Sequence, residues 1–195
     1  MTCYLQALLA EGLGATAEFE TTFSTVASVS LKSPAELDDG DGSSDEALSL
    51  YLYRVCPNPQ LNNHRKIKSG PGKMSPPPLS LDLHYLLTPV TSRPKDNLSI
   101  LGRSAQVLAS NPVIRREFLE SALGTDPPEA RILLEQLDVE ELTRLWNAFS
   151  RPYRLSASYL VRTVSIDSRA PEIGEGPVLE RFLDIRKVGD DEGRR

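Results

Sequence analysis

The stretch PPPLSLDLHYLLT, residues 76–88, decides the fold. Every second residue from Leu79 to Leu87 is apolar, whereas Asp82 and His84 fall on the alternate positions. This period of two is typical of a strand with one face in a core. The prolines before it prevent a helix from entering the segment. The pattern predicts a strand over residues 79–87 whose polar face, with Asp82 and His84, is left free for another contact.

Further strands are predicted on both sides of this segment. Residues 47–56, ALSLYLYRVC, are apolar at odd and even positions alike, which favours an interior strand covered on both faces. Shorter strands are expected within residues 25–31, 130–137 and 153–166, where branched and aromatic side chains are frequent. Residues 60–73 are polar and predict a long hairpin loop.

Helices are predicted where apolar residues recur at helical spacing. The first covers residues 2–13, a second begins at Asp96 or Asn97, and a short one follows Pro112. The clearest local signal is Asp138 with Glu141 three residues later, which forms a capping box. The helix that it begins is expected to bury one stripe of side chains: Leu142, Leu145, Trp146 and Phe149.

The chain length of 195 residues accommodates one domain and a tail. We expect the domain to cover residues 1–168 and a linker with a docking arm to cover residues 169–195, because prolines and glycines cluster after residue 168. The arm contains an apolar segment, residues 178–188, that fits either a helix or a strand. It can dock on its own domain or add to the sheet edge of a neighbouring chain. Its candidate interface residues are Leu179, Phe182, Leu183 and Ile185.

The net charge of −5 makes nucleic acids and anionic membranes poor partners, because like charges repel. No apolar run approaches the roughly 20 residues that a membrane helix needs, and the N-terminus lacks the features of a secretion signal. Cys3 and Cys56 are far apart, which favours free thiols in a reducing compartment. We therefore expect folding in the cytoplasm.

The sequence contains no glycine-rich phosphate loop, dinucleotide fingerprint or nucleophile elbow. Asp82 and His84 lie two residues apart on one strand and therefore share a face, but no nucleophile is near them in sequence. A small hydrolase that uses this pair stays a minor alternative. The acidic loop at residues 38–46 lacks the glycine and glutamate of a calcium loop. We expect no cofactor and no metal.

A basic cluster on the predicted loop after residue 60 is a second candidate contact. Arg65 and Lys66 lie in this cluster between His64 and Lys68, without aromatic residues between them. Such a loop is either solvated or contacts an acidic protein surface. A monomeric adaptor that recruits cargo or a chaperone through this loop is therefore an alternative function.

Four segments, in order, resemble one protein family. They are LYLYRV at residues 50–55 followed by Asn58 and Asn63, PPLSLDLHYLLT at 77–88, LGRSAQVLASNPV at 101–113, and LTRLW at 142–146 followed by Pro152, Tyr153 and residues 156–159. Together they are similar to the tube-terminator, or cap, proteins of extracellular contractile injection systems, which resemble contractile phage tails without a capsid. The resemblance covers about residues 48–168.

The resemblance implies a mixed α/β fold like that of phage tail terminators, with a central mixed β-sheet flanked by helices. It also implies a homohexameric ring without enzymatic activity. Such a ring would end the inner tube and join it to the last sheath ring, with the inner tube protein and the sheath protein as partners. Assembly in the bacterial cytoplasm is expected, as part of a particle that stays inside the cell or is released.

Overall fold

A six-stranded mixed sheet forms the centre of the fold in the computed structural model, which describes residues 1–14, 28–38, 47–61, 67–70, 73–75, 78–114, 129–166 and 173–174. The strands are β1 Ser28–Ser30, β2 Ala47–Pro57, β3 Ile67–Gly70, β4 Lys73–Ser75, β5 Leu79–Val90, β6 Val113–Ile114, β7 Ala130–Glu135, β8 Ala157–Ile166 and β9 Ile173–Gly174. The helices are α1 Thr2–Gly14, α2 Pro34–Leu37, α3 Pro94–Ser110 and α4 Val139–Ala148.

The order of strands in the large sheet is β1-β2-β5-β8-β7-β6. Only β1 and β2 run parallel; the other neighbours are antiparallel, which makes the sheet mixed as expected. The register shifts once between β2 and β5, at Leu52 and Arg54, and once between β5 and β8, at Leu81 and Leu83. Strands β3, β4 and β9 form a separate three-stranded sheet.

One face of the large sheet carries the main hydrophobic core, under helices α1 and α3. Leu5, Leu9 and Leu13 recur every four residues along α1 and are all buried, because that spacing places them on one helix face. They pack with residues of α3 and with the leucine side of β5, including Leu83 and Leu87. The alternation in the sequence of β5 therefore gives one apolar face to this core.

Helices α1 and α3 approach each other closely at Gly12. A Cβ atom on Gly12 would lie only 2.4 Å from Cγ2 of Val107. The backbone carbonyl of Gly12 also accepts a hydrogen bond of 3.2 Å from Nε of Arg103. Glycine is therefore required here for packing.

The opposite face of the sheet is covered in part by α2 and by side chains at the end of α4. Leu37 packs against Ala47 and Val90 in a small second cluster. The ring of Phe149 lies 5.6 Å from the ring of Tyr51 on β2, in an edge-to-face arrangement. The capping box predicted for α4 is confirmed, because Asp138 accepts from the backbone of Val139 at 2.7 Å and carries the full motif with Glu141.

Several local predictions differ from the structure. Val113 and Ile114 form strand β6, where the start of a short helix was expected, and the rest of that predicted helix lies outside the described residues. Of the predicted stripe on α4, Trp146 is buried, whereas Leu142, Leu145 and Phe149 are half-buried. Strand β2 is buried on both faces only over its first four residues.

Two segments that were expected to lack regular structure contain strands. The predicted loop over residues 60–73 contains β3, which pairs with β4 as a hairpin. The predicted linker contains β9, which pairs with Lys73 and Met74 of β4. The division of the chain at residue 168 stays a prediction, and the acidic loop beyond Asp38 lies outside the described residues.

Candidate assembly interface

The side chains of His84 and Glu135 are in hydrogen-bond contact on the face of the sheet opposite the main core. Nδ1 of His84 lies 2.9 Å from Oε2 of Glu135. The two residues belong to β5 and β7, which are separated by β8. Ser158 on β8 donates a hydrogen bond of 2.9 Å to the same carboxylate oxygen. The contact therefore connects three strands through side chains.

Tyr53 adds a fourth strand to this network. Its hydroxyl lies 2.9 Å from Oγ of Ser158 and 3.2 Å from Oε2 of Glu135. Tyr53 lies at the register shift of β2, and its ring is tilted at 5.9 Å from the ring of His84. Burial, followed by the nearby carboxylate of Glu135, raises the pKa of Tyr53 to about 12 despite its hydrogen bond with Ser158. Tyr53 therefore stays a neutral phenol at physiological pH.

Glu135 is held in its charged form by its neighbours. Partial burial alone would raise the pKa of its carboxyl group. Hydrogen bonds from His84, Ser158 and Tyr53, with the charge of His84, outweigh burial and lower the pKa below its usual value. The arrangement fixes the relative positions of four strands. It does not form a nucleophilic triad, because Ser158 contacts Glu135 and not the imidazole.

Asp82 does not pair with His84, although both were considered together as an acid–base or interface pair. Its Oδ1 accepts a 3.0 Å hydrogen bond from Nδ2 of Asn58, and its Oδ2 accepts one of 3.3 Å from Nε of Arg162. Asn58 is buried, and its side-chain oxygen Oδ1 accepts from the backbone N–H groups of Gln60 and Leu61. Asp82 therefore anchors the turn after β2.

The other predicted contact residues lie outside the described part of the chain. These are Arg65 and Lys66 of the basic cluster, and Leu179, Phe182, Leu183 and Ile185 of the tail. For all of them a role in an interface stays a prediction.

Among the described residues, the second half of strand β7 has an edge without a partner strand, which the sequence did not indicate. The N–H of Ile132 donates to the carbonyl of Pro112, 2.8 Å away on the outer side of the strand. Since alternate residues of a strand direct their peptide groups to the same side, the peptide groups of Leu134 point outward along this edge. Within the described ranges no strand pairs with Leu134 there. Strand edges without a partner are the surfaces to which extended segments add in general.

A cleft of about 480 Å³ lies beside this edge, between the end of β7, the start of α4 and the start of β8. Leu134, Leu137 and Leu142 contribute apolar lining, and Ser156 and Ser158 contribute polar groups. The side chain of Leu134 is 69 % exposed. An open edge with an apolar cleft is suited to binding an extended peptide segment that has alternating apolar side chains.

The described residues include no group of three or more histidine, cysteine or acidic side chains placed to hold a metal ion. Within those same ranges, none of the helices combines the length and the apolar character that crossing a bilayer requires.

The chain is similar to proteins that terminate contractile particles. The family model of the Pvc16 N-terminal domain matches residues 1–180. A search of curated proteins found no match. The sheath/tube terminator of PVC, an extracellular contractile injection system, in its extended state aligns with a TM-score of 0.57 and 18 % identity, over 94 % of this chain and 64 % of that one.

The cap of the anti-feeding prophage, described as a tube-terminating cap, aligns with a TM-score of 0.51 and 20 % identity. This alignment covers 74 % of this chain and 51 % of the cap. The chain thus spans less than two thirds of the length of either structure. The two alignments confirm the predicted fold, a mixed sheet with helices like that of a tube terminator.

Proposed function

Because this chain belongs to the family of the Pvc16 N-terminal domain, we propose that it is a structural terminator subunit of a contractile injection particle. The family match over residues 1–180 is the observation that carries this proposal. The fold alignment with a sheath/tube terminator over 94 % of the chain supports it. The chain acts by binding other proteins and has no catalytic role.

The proposed assembly is a ring of six identical copies at the end of the inner tube. A ring needs a surface on each subunit that fits a different surface on the next, so that rotation closes it. Each contact needs to bury on the order of 1,600 Å² in total to be stable. The sheet supports this assembly because its network of Tyr53, His84, Glu135 and Ser158 holds the four inner strands, β2, β5, β8 and β7, in place. A rigid subunit loses little entropy on association.

In this proposal the ring stops growth of the tube and joins it to the last sheath ring. The open edge of β7 and the tail at residues 178–188 are the two elements suited to strand addition. Strand addition gains affinity from backbone hydrogen bonds, so it tolerates different side chains in the partner. Six equivalent contacts then strengthen attachment by avidity. The particle is assembled in the bacterial cytoplasm.

Tube growth in the presence of the purified chain tests this function. Inner tube protein is polymerised with and without the chain, and tube lengths are measured by negative-stain electron microscopy. We expect shorter tubes whose length falls as the ratio of chain to tube protein rises. Unchanged lengths and no binding of the chain to tube or sheath protein would contradict the proposal. A monomer that instead binds a cargo protein would favour an adaptor.

A further inference from the structure

Glu135 has one carboxylate oxygen that takes no part in the network of the four inner strands. Its contacts with His84, Ser158 and Tyr53 all involve Oε2. No described residue donates a hydrogen bond to Oε1. The side chain of Glu135 is 24 % exposed, and the residue lines the cleft at the end of β7. Oε1 is therefore available to a donor from another molecule.

Glu135 gives the cleft a negative charge that no lining residue balances. The lining residues include no lysine, arginine or histidine. Arg131 and Arg162, on the same face of the sheet, are four residues further along β7 and β8, roughly 13 Å away. Burial raises the pKa of the Glu135 carboxyl group, but its hydrogen bonds lower the pKa by more, so the group is charged at neutral pH. The cleft is therefore complementary to a cation.

The wall of the cleft that α4 forms is stabilised by contacts within the chain. Asp138 and Glu141 form the capping box at the start of the helix, with contacts of 2.7 Å and 3.1 Å to backbone N–H groups. Glu140 pairs with Arg144 on the exposed side of the helix. These acidic side chains already have partners, and the first turn holds Leu142 at the cleft. A preformed cleft loses little entropy when it binds a partner.

The lining of the cleft favours a lysine side chain over an arginine. Leu137 and Leu142 offer apolar surface to an aliphatic stem. With Oε2 occupied, Glu135 offers one acceptor oxygen, whereas the planar group of arginine is suited to two parallel hydrogen bonds with both oxygens of a carboxylate. An ammonium group donates to single acceptors, and the hydroxyl of Ser156 adds another acceptor to the lining.

Lys32 is an exposed lysine at the opposite edge of the same sheet. It follows β1, and no carboxylate of the described ranges pairs with its side chain. Its backbone is held in place, because its carbonyl accepts a hydrogen bond of 2.8 Å from Oγ of Ser49. Leu31, the residue before it, is 39 % exposed. This edge therefore presents an ammonium group and an apolar side chain next to each other.

Lys32 and Glu135 lie close to the same level along the strands. Ser30 pairs with Ser49, so Lys32, two residues later, is near the level of Tyr51 on the parallel strand β2. From Tyr51 the cross-strand pairs lead through β5 and β8 to Glu135. Four strand spacings, roughly 19 Å along the sheet, separate the two edges. Two copies placed edge to edge would bring the two residues together.

We propose that the cleft of one copy binds Lys32 of a second copy of this chain, with the ammonium group donating to Oε1 of Glu135. Each copy then offers its cleft at the β7 edge to one neighbour and Lys32 at the β1 edge to the other. Such a head-to-tail contact closes into a ring under rotation. The inference rests on the proposed function, because it names a contact between adjacent subunits of the terminator ring.

A zero-length cross-linker tests the contact in the full-length chain. A carbodiimide joins a carboxylate to an amine that touches it. Isotope-labelled and unlabelled chains are mixed, assembled, treated with the carbodiimide and digested for mass spectrometry. We expect a peptide that links Glu135 of one label to Lys32 of the other. The absence of this mixed link in chains that form rings would overturn the contact.

Two variants remove the contact from opposite sides. Lys32→Gln removes the cation, and Ser156→Lys places an ammonium group of the chain itself in the cleft while Glu135 keeps its network. Measured by native mass spectrometry, each variant should form rings on the order of tenfold more weakly. Lys95→Gln is the matched control, because Lys95 is an exposed lysine at the start of α3, and it should assemble like the original chain. Circular dichroism verifies that each variant folds.

Mixing the two variants distinguishes this contact from a general change of charge. Lys32→Gln keeps an open cleft, and Ser156→Lys keeps Lys32, so one contact of each mixed pair is intact. We expect dimers of unlike variants but no recovery of rings, because every second contact of a mixed ring is weakened. Mixtures that form no more dimers than either variant alone would contradict the contact.

The outcomes separate the two proposals. Rings that persist in both variants would overturn the contact of Lys32 and leave the terminator function intact. A chain that neither binds tube protein nor shortens tubes would overturn the terminator function, even where the mixed cross-link forms. If the original chain forms no rings alone or with tube protein, the ring assembly itself is wrong, and the contact with it.

Discussion

His84 and Glu135 are joined by a 2.9 Å contact that passes over the strand between them. Ser158 of the intervening strand β8 donates a hydrogen bond of 2.9 Å to the same carboxylate oxygen. The arrangement uses polar groups to fix the spacing of β5, β8 and β7. Buried polar networks of this kind stabilise one register, because a shifted strand would leave a charge without its partner.

Replacing the charge of Glu135 is expected to destabilise the fold. Glu135→Gln keeps the shape of the side chain but weakens its hydrogen bonds with His84 and Ser158, and we expect a loss of about 1–2 kcal/mol. Urea denaturation followed by circular dichroism measures the change. Glu140→Gln is the matched control, because the ion pair of Glu140 with Arg144 is exposed and contributes at most about 0.5 kcal/mol. Equal losses in the two variants would contradict the role of the network.

The stabilisation that Glu135 contributes to the fold is expected to be lost at acidic pH. The pKa of Glu135 in the folded chain lies below its usual value of 4.5. Its contribution is therefore complete above pH 4.5 and is lost as the pH falls through the lowered pKa. The difference in melting temperature between the original chain and Glu135→Gln should be present at pH 5 and shrink as the pH falls below 4.5. A difference that grows on acidification would contradict this assignment.

Asn58 is expected to matter more than a typical turn residue. It is 2 % exposed and makes three side-chain hydrogen bonds, with Asp82, Gln60 and Leu61. Asn58→Ala leaves one carboxylate oxygen and two backbone N–H groups without these partners, so we expect a loss of about 2–3 kcal/mol. A double-mutant cycle with Asp82→Ala, measured by urea denaturation, should give a coupling energy of at least about 0.5 kcal/mol. Strict additivity would show that the two residues act separately.

Two glycines offer a matched test of the packing between α1 and α3. Gly12→Ala inserts a methyl group 2.4 Å from Cγ2 of Val107, and we expect it to lower stability by about 1–2 kcal/mol. Gly102→Ala places its methyl group where no atom lies within 4 Å. It should raise stability by up to about 1 kcal/mol, because alanine favours a helix. Thermal unfolding should show a lower melting temperature for Gly12→Ala and a higher one for Gly102→Ala. Changes in the same direction would contradict the close packing of α1 against α3 at Gly12.

Local sequence signals predicted the parts of the fold that depend on residues close together in the sequence. The capping box of Asp138 and Glu141 lies within one helical turn, and the alternation around Leu83 lies within one strand. The partners of Asp82 and His84 were not predictable in this way. Glu135 is separated from His84 by 51 positions along the chain, and Arg162 from Asp82 by 80. Both contacts depend on strand order and on the register shifts of β5 with its neighbours.

The strands missed by the sequence analysis have a common physical cause. Strand β9 has two residues and β6 has two residues, which is too short to show a period. Each is formed by pairing with a neighbour, β4 or β7, and not by its own side chains. Composition alone therefore favoured a linker around Gly174 and a helix after Pro112.

Removal of the tail separates assembly from folding. We expect deletion of residues 178–195 to leave the melting temperature of the domain within about 2 °C, since all described strands of the six-stranded sheet lie before residue 178. Binding to sheath protein, measured by co-sedimentation with sheathed particles, should fall. An unfolded truncation would show that the segment belongs to the core of the domain.

Electron microscopy of the chain bound to inner tubes tests the central claim most directly. Class averages viewed along the tube axis should show a single ring with sixfold symmetry at one end of each tube. Monomers at every concentration, or chains scattered along the tube wall without symmetry, would contradict the account.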